Sequence, residues 1–243
     1  MQYHQKDRQV SYGEAIGILV IENYVPYIPG DVANATSYDF PVRFERLHGF
    51  TPERLFAHDA SMVDVALEAG STLLREGVRA ITGDCGFLAI YQDRIAAELG
   101  VPVFLSSLLQ LDFMARILAP SRQIGIITAN KASLDRTVLD AVCSVPEERL
   151  AILGLENTEH FVDAVFEEKG MLDDEIVERE VLEVTDELLC SSKEIGAILL
   201  ECSLLPPYAA AVQERTGLPV FDYNTMIRYV HSAVVRSRFS GHM

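Results

Sequence analysis

The sequence predicts an α/β protein of two similar lobes, each a small, mainly parallel, doubly wound sheet, with the functional cleft between them. Short apolar runs alternate with amphipathic stretches, the pattern of parallel strands covered on both faces by helices. The two halves also repeat each other. A shift of 117 positions, the distance from Cys85 to Cys202, lays Ala80 on Ala197, Ile81 on Ile198, Asp84 on Glu201 and Tyr91 on Tyr208. The same shift lays Gly100-Val101-Pro102-Val103-Phe104 on Gly217-Leu218-Pro219-Val220-Phe221. With 243 residues, 49% of them hydrophobic, the chain has material for two lobes that share an interface. The repeat assigns residues 1–118 to the first lobe and 119–243 to the second, the last helix of each being able to pack on the other.

The elements follow in order. Residues 16–21 form an apolar run between a glycine-containing start and Glu22-Asn23, which fits a buried parallel strand. Residues 23–52 are irregular, with Pro26, Pro29, Gly30, Asp31 and Asn34 as turn formers, and a long loop after the first strand is a candidate substrate cover. Within it residues 40–47 alternate as an edge strand would, Pro41 arguing against a central position. Helical spacing covers residues 59–76 and 107–118, and a strand is expected over 123–128, where Ile124-Gly125-Ile126 repeats Ile16-Gly17-Ile18. A short helix over 132–142, a strand over 150–155 and a long helix over 173–190 come next. The glutamates of that long helix read as a solvated face. The second half closes with a helix over 207–216, a strand over 218–222 and a helix over 225–236.

The formal net charge of −16 and the scatter of the 20 Lys and Arg residues argue against a nucleic-acid partner, because phosphate contacts need clustered cations. No apolar stretch approaches a membrane span and residues 1–10 are polar, so no membrane partner is expected and the protein reads as cytoplasmic. Four cysteines without a CxxC pair read as reduced thiols. Nucleotide-loop, metalloprotease and serine-hydrolase motifs are missing, and the six histidines lack metal-ligand spacing, so neither metal nor cofactor is expected.

Cys85 and Cys202 carry the functional reading. Each ends an apolar strand and precedes a helix, where unpaired backbone N–H groups favour a thiolate and can bring its pKa toward neutrality. Asp84 and Glu201 precede them and work the other way if ionised, or else orient partners. Cys143 and Cys190 have no counterparts under the repeat and read as core. A pseudo-two-fold would bring Cys85 and Cys202 to face each other across one cleft. One thiolate could then take a proton from a carbon while the other thiol delivers one to the opposite face, inverting that carbon. The intermediate needs a neighbouring carboxylate or carbonyl whose growing charge is held by donors, and Gly86 and Ser203, just after the thiols, supply backbone N–H groups there, Ser203 adding its hydroxyl.

With these two cysteines, the paired lobes and the glycine-containing strands at Ile16 and Ile124, the chain resembles the aspartate/glutamate racemase superfamily over nearly its whole length. That superfamily includes amino-acid and hydantoin racemases, maleate cis-trans isomerases and arylmalonate decarboxylases. The resemblance implies Cys85 and Cys202 as an acid/base pair, no cofactor, an active site between the lobes, and a homodimer. It also implies substrate contacts from Asn23 and Thr128, which follow the equivalent first strands of the halves. The expected function is racemisation or epimerisation of a small carboxylate such as an amino acid or derivative. The alternatives are a cis-trans isomerase, decarboxylase or lyase of the same superfamily, or a non-catalytic small-acid binding protein. Cys85-Gly86-Phe87 and Cys202-Ser203-Leu204 depart from the Cys-Asn-Thr and Cys-Thr common in the amino-acid racemases. Phe87, Leu88, Leu204 and Leu205 read either as helix-packing core or as a more apolar pocket.

Overall fold

Two four-stranded parallel sheets form the frame of the computed structural model, which describes residues 2–7 and 9–243. Met1 and Arg8, within the polar opening segment, lie outside the described residues. The first sheet contains β1 (Ile16–Val20), β2 (Val42–Arg46), β3 (Ala80–Gly83) and β4 (Val103–Phe104) in the order β2-β1-β3-β4. The second contains β5 (Gln123–Thr128), β6 (Leu150–Gly154), β7 (Ile195–Leu200) and β8 (Val220–Phe221) in the matching order β6-β5-β7-β8. All pairings are parallel. In both sheets the strand order reverses beside the first strand, so the crevice at the carboxyl ends of β1 and β3, and of β5 and β7, is where this topology places ligands.

The local sequence explains the elements. Central strands β1, β3, β5 and β7 are almost wholly buried, as expected of runs covered on both faces, while β2 is an edge strand and only partly buried. The first sheet is covered by α1 (Pro52–Phe56), α2 (Met62–Arg75) and α3 (Gln92–Leu99). Next come α4 (Leu111–Ile117), α5 (Arg136–Asp140), α6 (Glu159–Val165), α7 (Asp174–Ser191), α8 (Ala209–Thr216) and α9 (Tyr223–Val234). Helix α3 ends at Gly100 and α8 at Gly217, with φ of 67° and 65°, left-handed caps that favour glycine. The repeat therefore extends to backbone geometry.

Several sequence expectations are refined. The helix expected over 107–118 opens as a 3₁₀ turn, Ser107–Gln110, before α4, and the one expected over 132–142 shrinks to α5, capped by Asp135. Helix α6 had no expectation. Its first backbone N–H groups, from His160 and Phe161, donate to Glu180 of α7 at 2.8 and 2.9 Å, so one glutamate of the supposedly solvated face is buried as a cap for a neighbouring helix.

The lobes exchange their last helices. Helix α4 lies against β5 of the second sheet and α9 against β3 of the first. One buried cluster accordingly runs from Leu19, Phe50 and Ile81 through Leu111 and Met114 to Ile124 and Leu199. Another joins Ile16, Ile18 and Phe104 to Tyr223, Met226 and Ile227 of α9. Asp222 starts α9 with a capping box to Thr225. Asp222→Ala is therefore expected to cost about 1 kcal/mol of stability, read as a lower urea midpoint. An unchanged midpoint would show that this cap does not hold the exchanged helix.

Candidate active site

Each half delivers a carboxyl and a thiol in succession where an inner strand runs out: Asp84-Cys85 after β3 and Glu201-Cys202 after β7. The carboxyls are held in equivalent ways by the strand next door. The Ile21 N–H, just past β1, donates to Asp84 Oδ1 at 3.0 Å. The Ala129 N–H, just past β5, bonds to Glu201, and the Thr128 hydroxyl donates to Glu201 Oε2 at 2.7 Å.

The thiols face a common cavity of about 40 Å³, a few times the room one water needs. The first half lines it with Asn23, Tyr27, Phe56, Asp84, Cys85, Gly86 and Phe87, and the second with Ala129, Phe166, Glu201, Cys202, Ser203 and Leu204. Five of the six residues singled out in the sequence thus meet at one place: Cys85, Cys202, Asn23, Gly86 and Ser203. Thr128 is fully buried behind Glu201 and reaches the cavity only through that carboxyl, a support rather than a wall. Of the four apolar neighbours, Phe87 and Leu204 line the cavity, whereas Leu88 and Leu205 are fully buried in the core.

The two sides are not equivalent. Ser203 donates its hydroxyl to the backbone carbonyl of Asp84 across the interface, so that hydroxyl is engaged and not the free substrate donor expected from the sequence. At the matching place on the first side stands Gly86, where any Cβ would overlap Glu201 Oε1. The longer carboxyl of Glu201 fills the space that glycine leaves.

The electrostatics also depart from expectation. Burial pushes both thiols well above the ordinary cysteine range, with Glu201 next in importance, and one backbone N–H per sulfur, from Phe87 and from Leu204, opposes this only in part. The anticipated shift toward neutrality fails for a structural reason. Each thiol precedes a tight turn, with 3₁₀ segments Gly86–Tyr91 and Pro206–Tyr208, and the α-helices begin only at Gln92 and Ala209. The helix ends are too far from the sulfurs, since their field fades within a turn. Burial likewise raises Asp84 and Glu201 to about 7, and Asp31, in the loop over the cavity, to about 8. Among the described residues no Lys, Arg or His lines the cavity.

Several lining groups escaped the sequence reading. Tyr27 comes from the 21–41 segment between β1 and β2, most of it within the 23–52 stretch whose length marked it as a cover. That segment spans the interface: Val32 N–H donates to Ser203 O, Asn224 Nδ2 to Gly30 O, and Tyr24 N–H to Glu168 Oε1. Phe56 and Phe166 come from positions without a repeat signal, and their rings lie 6.4 Å apart at the cavity mouth. Outside them opens a basin of about 500 Å³ bordered by Glu22, Glu53, Glu167 and Glu168. Among the described residues no three or more His, Cys, Asp or Glu side chains converge in a way that could hold a metal ion, and no helix is long and apolar enough to cross a membrane.

Solved structures share this architecture. Unliganded arylmalonate decarboxylase superposes with a TM-score of 0.63 at 15% identity, covering 93% of this chain and 94% of its own. Allantoin racemase from Pseudomonas fluorescens gives 0.61 at 16%, covering 91% of each chain. Glutamate racemase from Francisella tularensis gives 0.55 at 16%, covering 93% of this chain and 85% of its own. The fold is the one these three enzymes share, two paired sheets with a cleft between them. By sequence the chain is similar to dimethylsulfoniopropionate lyase 5 of Emiliania huxleyi, 33% identical over 238 residues, which are 90% of this chain and 45% of that relative. It is also similar to a dimethylsulfoniopropionate lyase of Durusdinium sp. clade D, 29% identical over 224 residues, 89% of this chain and 73% of that relative. The chain thus spans about half the length of the first of these relatives. No protein-family model matches it.

Proposed function

We propose that the chain is a lyase for a small carboxylate bearing a sulfonium group on its β carbon, such as dimethylsulfoniopropionate. A thiolate in the cavity takes the proton from the α carbon. The electron pair left behind forms the carbon–carbon double bond as the bond from the β carbon to sulfur breaks, releasing dimethyl sulfide, acrylate and one proton. Charge growing on the substrate carboxylate is held by the backbone N–H groups of Gly86 and Ser203, just after the thiols.

One observation carries this reading: the cavity joins two thiols, aromatic rings and buried carboxyls, with no cationic side chain among the described residues that line it. A sulfonium suits such a place. Tyr27, Phe56, Phe87 and Phe166 offer ring faces to a cation, and the acidic basin outside raises its local concentration. A positive charge beside the thiols also favours their ionisation, which burial opposes. A dicarboxylate would instead bring a second negative charge toward Asp84, Glu201 and Asp31. The names of the similar proteins point the same way.

Racemisation of a small carboxylate is the second reading, favoured by the presence of both thiols in one cavity. Headspace detection of dimethyl sulfide from dimethylsulfoniopropionate separates the two. Release is expected, with none from amino acids. No release, combined with α-proton exchange of amino acids or hydantoins in heavy water, would replace elimination by racemisation.

A further inference from the structure

Asp84 and Glu201 occupy matching places in the repeat, and Glu201 carries a fully buried carboxyl oxygen that is left over. Its Oε2 accepts from Thr128, while Oε1 is buried, has no hydrogen-bond partner and lies against Gly86, both residues bordering the cavity beside Cys85. The carboxyl itself is fully buried. An oxygen that already accepts a hydrogen bond acts as the carbonyl oxygen of a neutral acid, so a proton on this group sits on Oε1, at the Gly86 edge of the cavity. A buried donor without a partner is costly, and a ligand can supply what is missing.

We propose that Glu201 binds the substrate as a neutral carboxylic acid, donating its Oε1–H to the substrate carboxylate. The proposal rests on the reading of the substrate as a small carboxylate. As the α proton leaves, charge moves onto that carboxylate and the hydrogen bond strengthens, so the same contact serves binding and elimination. The pairing of residue types follows. The carboxyl reaches this point because residue 86 is glycine, whereas the opposite side pairs the shorter Asp84 with Ser203, whose hydroxyl occupies the Asp84 carbonyl.

The neighbourhood favours the neutral form. Glu201 acts on Cys85 from the end of β3, on Cys202 of its own turn and on the Tyr223 hydroxyl from α9, and it lines the cavity together with Asp84. All are acids and none supplies a positive charge. Burial raises Glu201 to about 7, and a bound carboxylate raises it further. The sign follows: a carboxylate ligand meets the protonated acid below that range, and affinity is lost as pH rises through it.

Propionate, the substrate skeleton without its leaving group, is the probe, its binding measured by calorimetry from pH 6 to 9. Asp84 also titrates in this range, so the decisive quantity is the difference between variants. The wild-type protein should bind at pH 6 and lose affinity as pH rises. Glu201→Gln keeps an N–H where the O–H stood, and should bind within about threefold of wild type at pH 6 with the slope of log Kd against pH reduced by about one proton. Glu201→Ala should bind at least about tenfold more weakly at pH 6. Gly86→Ala, which displaces the carboxyl without removing it, should match Glu201→Ala. Circular dichroism confirms the fold of each. An unchanged slope in Glu201→Gln, binding by that variant as weak as by Glu201→Ala, or no propionate binding by wild type would overturn the proposal. Failure of the wild type to release dimethyl sulfide would count against the lyase reading alone, because the propionate titration does not depend on turnover.

Discussion

The double substitution Cys85→Ser with Cys202→Ser is expected to lower turnover by about 10²–10⁴-fold, the span that a positioned acid–base group contributes. The alcohol retains the shape and a hydrogen bond but ionises far less readily than a thiol. The fold should survive, since both side chains border the cavity and are only partly buried. Single variants distinguish the mechanisms. Elimination needs one base, so one single variant should fall as far as the double while the other keeps a measurable share of dimethyl sulfide release. Racemisation needs both thiols, so each single variant would lose interconversion yet retain solvent exchange at one enantiomer. Release assays and proton NMR in heavy water read these outcomes. Undiminished turnover by the double variant would remove the thiols from the mechanism. The individual losses need not add, because the two groups share one cavity.

Tyr223→Ala is expected to destabilise the protein by about 3–5 kcal/mol, the cost of emptying a large buried site. Tyr223 is fully buried at the start of α9, belongs by sequence to the second half, and packs with Ile16, Ile18 and Phe104 of the first sheet. Its hydroxyl donates to Leu105 O at 2.8 Å. Tyr223→Phe removes only that bond and should cost about 1–3 kcal/mol. Urea denaturation reads both. A loss below about 1 kcal/mol for Tyr223→Ala would mean that the exchanged helix does not clamp the halves together.

The two-sheet fold was legible because parallel strands buried on both faces must be apolar throughout, and because duplication wrote the pattern twice. Residues 123–128 became β5 and residues 16–21 became β1 with little change at the ends. Edge strands were harder. Residues 218–222 yield only the two residues of β8, since a short strand at a sheet margin carries little hydrophobic signal. Helix α6 went unread because its start is capped by Glu180, about twenty positions away, a contact without a local signature. The thiols, Gly86 and Ser203 were found through the repeat. Phe56 and Phe166 were not, because each belongs to one half only.

The chain order alone specifies which residues stand at the ends of β3 and β7, hence that a carboxyl and a thiol emerge together from each half. Strand ends are local features, dictated by where apolar runs stop. Packing of the lobes against each other, with α4 and α9 exchanged, determines that Glu201 fills the space over Gly86, that Ser203 reaches the carbonyl of Asp84, and that burial drives the thiols upward instead of toward neutrality. These depend on distances between segments more than a hundred positions apart and on the water that the interface excludes, quantities that hydrophobic periodicity along a chain does not encode.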